Sequence, residues 1–186
     1  MVHTRTQAHF ASPDDVNLGF EKDEGTDYGE GDKREGNGVP DGWTVVKGRD
    51  RISLDGSTAL EGKRSLAIDS EEGNGVVIVS SPFAVQPEKP VRLTAWVKGG
   101  VWGYYDFWPR FDLRFFDKGD EHVESPTTYL PLEGPSLEGW RSIVVGAITP
   151  PQAAYARVKI VSGPYLRAYS PSTWIDDLQL QVGEEY

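Results

Sequence analysis

The chain has 186 residues, 38% hydrophobic and 26% charged, with a net charge of −10. This is the composition of one ordinary folded domain, long enough to bury roughly 70% of its unfolded surface. The acidity disfavours nucleic acid and anionic membrane surfaces, which reward positive charge. The absence of cysteine excludes disulfides and thiolate chemistry, and no apolar run approaches the ~18 residues of a membrane helix.

The first fifteen residues, MVHTRTQAHFASPDD, have no apolar core of the kind a signal peptide needs. They read as a tag, a linker or a flexible segment, with a single domain over 16–186. Residues 21–37 form a polar, glycine-rich, charged loop without the ligand spacing of an EF-hand. With 21 Gly and 13 Pro, no long window keeps helical apolar spacing free of breakers. Short runs rich in Val, Ile, Thr and aromatics recur between turn signals instead, which predicts an all-β sandwich. The predicted strands are 42–47, 65–68, 75–85, 91–98, 111–117, 127–132, 141–148, 155–161 and 174–182.

Alternation assigns faces to these strands. Val91, Leu93, Ala95 and Val97 share one face, against Arg92, Thr94, Trp96 and Lys98. Phe111, Leu113 and Phe115 oppose Arg110, Asp112, Arg114 and Phe116; Ala156, Val158 and Ile160 oppose Arg157, Lys159 and Val161. One apolar and one polar face is the signature of antiparallel sheets packed on one side, and two such sheets make a sandwich. If the strands are neighbours, Trp96, Arg110, Asp112, Arg114, Phe116, Arg157 and Lys159 form one polar surface. Solvation and ligand binding are both open readings of that surface.

Eight of the chain's aromatics fall between Trp102 and Phe116. Gly103 and Pro109 interrupt the first half of this run, which reads as a loop or ribbon carrying Trp102, Tyr104, Tyr105, Phe107 and Trp108. Five rings on a connection are hard to bury, and flat amphipathic rings near a surface suit sugars. Arg110, Asp112 and Arg114 on the next strand, with Trp96, offer forks for hydroxyl groups. The loop 163–173 adds Tyr165 and Tyr169, with Arg167 between them. Core packing of individual rings is the competing reading.

Seven marks in order resemble the jelly-roll carbohydrate-binding modules of the galactose-binding-like superfamily. They are Asn17-Leu18-Gly19-Phe20-Glu21, Val39-Pro40-Asp41-Gly42-Trp43, Glu61-Gly62-Lys63-Arg64-Ser65-Leu66, the strand 93–98, the strand end 113–119, Gly139-Trp140, and Trp174-Ile175-Asp176-Asp177-Leu178-Gln179-Leu180. The loop at 21–37 and the aromatic connection at 99–109 are longer than is usual in that group. The resemblance implies a two-sheet antiparallel jelly roll with Trp43 and Trp140 in the core. It implies a non-catalytic, monomeric, secreted or cell-surface module that binds a polysaccharide or oligosaccharide beside the catalytic domain of a parent enzyme.

The resemblance also implies a structural Ca2+ held by Glu21 and Asp176, with backbone carbonyls near 62–64 completing the shell. Parity places Asp176 on one face with Trp174, Leu178 and Leu180, where a carboxylate turned to the core needs neutralising. Two other classes stay open: a β-sandwich interaction domain without sugar affinity, and a jelly-roll lyase or hydrolase. No Gly-x-Ser-x-Gly elbow, HExxH, P-loop or dinucleotide fingerprint supports an enzyme. A lyase could use Tyr104 or Tyr105 beside Arg110 or Arg114. The arginines also leave uronic-acid polymers open beside neutral glycans.

Overall fold

The computed structural model describes residues 18–22, 38–69, 75–99, 101–102, 107–125, 127–130, 139–162 and 172–183, with the backbone course alone at 101–102, 107–108 and 127–130. The predicted N-terminal segment and most of the 21–37 loop lie outside these residues, as do Tyr104, Tyr105, Tyr165 and Tyr169. The described residues form fourteen strands: β1 (Trp43–Lys47), β2 (Ile52–Asp55), β3 (Ser65–Asp69), β4 (Val76–Ser80), β5 (Phe83–Ala84), β6 (Pro90–Gly99), β7 (Val101–Trp102), β8 (Phe107–Trp108), β9 (Arg110–Phe116), β10 (His122–Val123), β11 (Thr127–Leu130), β12 (Trp140–Ile148), β13 (Tyr155–Ser162) and β14 (Ser172–Val182). The one helical element among the described residues is a 3-10 turn at Arg49–Arg51.

Two antiparallel sheets form a jelly-roll sandwich. The first runs β1-β4-β13-β9-β10, with β5 also paired to β13, and the second runs β11-β12-β6-β14-β3-β2. The inward rows are those alternation selects. Val91, Leu93, Ala95 and Val97 of β6 are buried, as are Phe111, Leu113 and Phe115 of β9 and Ala156, Val158 and Ile160 of β13. Phe20 joins them from the segment before β1, its ring 5.4 Å from that of Trp43. The predicted strand 75–85 is divided into β4 and β5 by Ser81 and Pro82, because proline has no N–H to give the ladder. The short strands β2 and β10 carry too few apolar residues to be seen in the sequence.

Two expectations about side-chain direction are corrected. Trp140 is buried, but not in the core between the sheets. It stands opposite Lys98 in the β12–β6 register, on the outward side, and the Lys98 ammonium lies 5.9 Å from its ring centroid. Asp176 does not share a face with the core leucines. In β14, Ile175 pairs with Val97 and Asp176 with Trp96, and the register then shifts before Gln179 meets Thr94. The extra residue is a β-bulge with Asp177 at φ 45°, so Ile175 and Leu180 both turn inward while Asp176 points outward with Trp96.

Truncating Phe20 tests whether the 18–22 segment belongs to the core. Phe20→Ala is expected to lower unfolding free energy by about 3–5 kcal/mol. Urea denaturation with an unchanged m value checks it; a loss below about 1 kcal/mol would mean that this segment only rests on the sandwich.

Candidate functional site

The outward face of the first sheet is set by the β13–β9 register. Tyr155 stands opposite Phe116, Arg157 opposite Arg114, Lys159 opposite Asp112 and Val161 opposite Arg110. Because their neighbours are core residues, these eight side chains must project the other way. Val77 and Val79 of β4 extend the face beside Val161 and Lys159.

Rings occupy one end of it. Phe116 and Tyr155 stack with centroids 5.0 Å apart and planes 9° from parallel. His122 meets the other side of Phe116 edge-on at 5.7 Å. Tyr155 is anchored by its hydroxyl, which donates to Asp120 at 3.2 Å. Burial, then the bond to Asp120, push the Tyr155 hydroxyl above its ordinary pKa. The Arg157 guanidinium lies 6.0 Å from the Tyr155 ring centroid and donates to the Ser80 carbonyl at 3.3 Å. At the other end Arg110 pairs with Asp112 at 3.2 Å.

The aromatic connection leads into that second end. Val101–Trp102 and Phe107–Trp108 pair as a two-stranded ribbon, Val101 with Trp108 and Trp102 with Phe107. Pro109 is buried, and β9 starts at Arg110. The expected loop or ribbon is therefore a β-hairpin joining the second sheet, where β6 ends, to the first, where β9 begins. Arg110, Asp112 and Arg114 come together as expected. Trp96 does not join them: it sits on β6 in the second sheet and faces outward from the opposite side of the sandwich.

Tyr155 and His122 were not singled out in the sequence. Period two places Tyr155 with Arg157 and Lys159, but only the register shows that it meets Phe116. His122 lies on a two-residue strand, which leaves no periodic signal.

The expected metal residues do meet at one loop. Asp176 is 0% exposed, and its Oδ2 accepts the N–H groups of Leu60 and Glu61 at 2.7 and 3.1 Å. Its Oδ1 accepts the Asp177 N–H at 2.8 Å. Glu21 Oε1 accepts the N–H groups of Lys63 and Arg64 at 2.8 and 3.1 Å. Burial pushes the Asp176 carboxyl above its ordinary pKa, against the pull of the Glu61, Leu60 and Asp177 amides.

Two carboxylates on one loop, one of them buried, suit a cation in charge. The loop turns amide hydrogens toward their oxygens, however, and an N–H is a partner for a carboxylate but no ligand for a metal. Among the described residues no group of three or more His, Asp or Glu side chains gathers to hold an ion.

No family model matches the sequence, and no curated protein matches it. Solved structures do resemble it. The enzymatically active domain of bacteriophage CBA120 tailspike protein 4 superposes with a TM-score of 0.51 at 12% identity, covering 75% of this chain and 19% of that one. This chain thus spans about a fifth of the tailspike chain. TmCBM61, solved with β-1,4-galactotriose, gives 0.49 at 18% identity over 79% of this chain and 91% of that one. The CBM22-1 xylan-binding domain of Paenibacillus barcinonensis Xyn10C gives 0.48 at 16% over 96% and 100%. The tailspike likeness, at 12% identity, is one of fold alone. That fold is the jelly-roll β-sandwich already described from the strand order.

Gly62 offers a direct test of the Glu21 contact. It sits at φ +62°, and a Cβ there would lie 2.2 Å from Glu21 Oε1. Gly62→Ala is expected to cost about 1–3 kcal/mol from the left-handed backbone and the clash together. In a Glu21→Ala background the clash is gone, so the double-mutant cycle should show coupling of at least about 0.5 kcal/mol. Additive losses in thermal denaturation would mean that Glu21 does not lie against this turn.

Proposed function

We propose that this chain is a non-catalytic, secreted carbohydrate-binding module, and that it binds a glycan across the outward face of β9 and β13. The observation that carries the reading is the continuous row His122, Phe116, Tyr155, Arg157. Phe116 and His122 offer ring surface to the C–H patches of pyranoses, with the buried Tyr155 stacked on Phe116 as its support, and the cations beside them donate to hydroxyls. The backbone of the aromatic hairpin, which leads into β9 at Arg110, supports the same reading. The sequence resemblance to jelly-roll modules supports an accessory role beside a catalytic domain.

The test is affinity electrophoresis of the chain against a panel of neutral and acidic polysaccharides. Retention by at least one glycan is expected, with Arg114→Ala and Trp108→Ala each weakening it by about tenfold, the effect of one charge-assisted hydrogen bond or one stacked ring. No retention by any glycan would sink the reading and leave a β-sandwich interaction domain. Shortening of a polymer by the chain would overturn its non-catalytic part.

The calcium ion that the resemblance implies belongs to the same proposal: it would use Glu21 Oε2, which the amides of Lys63 and Arg64 leave to it, and Asp176. Bound there, it would supply charge compensation that ties β14 to the loop before β3. A chelator is then expected to lower the melting temperature by several degrees, and added Ca2+ to restore it. A melting temperature indifferent to both would leave the amide hydrogen bonds as what holds the loop.

A further inference from the structure

We infer that the glycan taken by this face is acidic, a uronic-acid polymer whose carboxylate is received between Arg114 and Arg157. The inference rests on the glycan-binding reading above and specifies its substrate class. Arg114 and Arg157 occupy directly opposed positions on adjacent antiparallel strands. Side chains so placed have Cβ atoms about 5 Å apart, and like charges there repel. A sandwich seeking only solubility gains nothing from that pair.

Among the described residues no carboxylate pairs with either arginine. Arg157 makes its described contacts with the neutral Ser80 carbonyl and the Tyr155 ring. Arg114 has no ion-pair partner among the described residues. Asp112 is already bonded to Arg110, and it also stands opposite Lys159.

The β9 and β13 rows thus hold four cations, Arg110, Arg114, Arg157 and Lys159, against the single carboxylate of Asp112. The nearby acidic groups lie at the β9–β10 end rather than within these rows: Asp120 accepts the Tyr155 hydroxyl, Asp117 and Glu121 stand in the same turn and Glu124 follows β10, and among the described residues no ion pair joins them to Arg114 or Arg157. Lys47 at the β1 edge adds to the positive side.

Neutral hydroxyl groups would gain hydrogen bonds from these arginines but would leave their mutual repulsion in place. A carboxylate removes the repulsion and gains charge-assisted, fork-shaped bonds from two guanidinium groups. Phe116 lies one step along β9 on the same face, backed by the buried Tyr155, in place to touch the sugar ring that bears that carboxylate.

The experiment is calorimetric titration of the chain with alginate and polygalacturonate oligosaccharides and with the same oligosaccharides after chemical reduction of their carboxyl groups, at low and high salt. The affinity-electrophoresis panel of neutral glycans is run beside it. At least one uronate is expected to bind about tenfold or more tighter than its reduced form, and to weaken with salt. Arg114→Gln and Arg157→Gln should each weaken uronate binding by about tenfold, with Arg114→Lys intermediate.

Equal affinity for the acidic and reduced forms, or binding of neutral glycans alone, would overturn the inference and leave the glycan-binding reading standing. Binding of no glycan would remove that reading and the inference together. Should a glutamine variant fail to fold by circular dichroism, the comparison of acidic with reduced ligand on the parent chain still decides.

Discussion

The pairing of β13 with β9 fixes the core and the candidate face in one step. Ala156, Val158 and Ile160 lie opposite Phe115, Leu113 and Phe111, and all six are buried. The side-chain period of a strand is two, so this register leaves Arg157 and Lys159 opposite Arg114 and Asp112 on the other side. A slip of one residue would exchange the two faces of one strand against its partner, driving charged groups toward an apolar interior at a cost of several kcal/mol per unpaired ion. Core burial therefore enforces the juxtaposition of the two arginines. The repulsion between them is small beside the free energy that holds the register, which is how the sheet tolerates it.

The second sheet solves a different problem at β14. A regular strand would keep Leu180 out of phase with Ile175, because the two are five residues apart. The bulge at Asp176–Gln179 inserts one residue and brings both to the core side. Its consequence is a carboxylate on the outer side at the point where the ladder is broken. The loop 60–64 folds over that carboxylate, while Glu21 takes the next two amides of the same loop. Gly62 lies between the two pairs of amides, where its left-handed backbone turns the loop and its missing Cβ admits the Glu21 carboxylate. The segment before β1 is tied in as well, since Leu178 donates its N–H to the Leu18 carbonyl. Bulge, loop and N-terminal segment are thus one interlocked unit, separate from the face on β9 and β13.

Most of the fold was legible because most strands are half-buried, and alternation then marks both the strand and its inner side. The strands β6, β9 and β13 are the clearest cases. Where the local pattern is broken, inference from it fails in a definite way. Parity across residues 174–180 put Asp176 with Leu180, since a bulge leaves no mark in hydrophobic periodicity. Trp140 read as core because a tryptophan entering a strand is usually buried inward; here it is buried on the outside, under Lys98. The polar rows of β6 and β9 look alike in sequence, and only sheet topology assigns them to opposite outer faces. That is why Trp96 separates from Arg110, Asp112 and Arg114 while Tyr155 and His122 join Phe116. Register between strands distant in the chain is a tertiary property, and the face is made of it.

The chain's charge of −10 disfavours anionic partners as a whole, and the β9–β13 face is locally of the opposite sign. Net charge governs approach from a distance, and at physiological salt it is screened over about 8 Å. Contact is governed by groups within a few ångströms of the ligand, where the described rows of β9 and β13 are positive. A chain of acidic sugars would meet weak repulsion on approach and concentrated attraction once it lies along the strands. Such an arrangement slows encounter more than it weakens the bound state, because steering acts on association and close pairs act on dissociation. The surrounding acidity also confines the favourable potential to one strip of the surface. On the proposed reading a polyanion would be held along β9 and β13 and rejected elsewhere, the overall charge supplying selectivity of position and the two arginines the attraction.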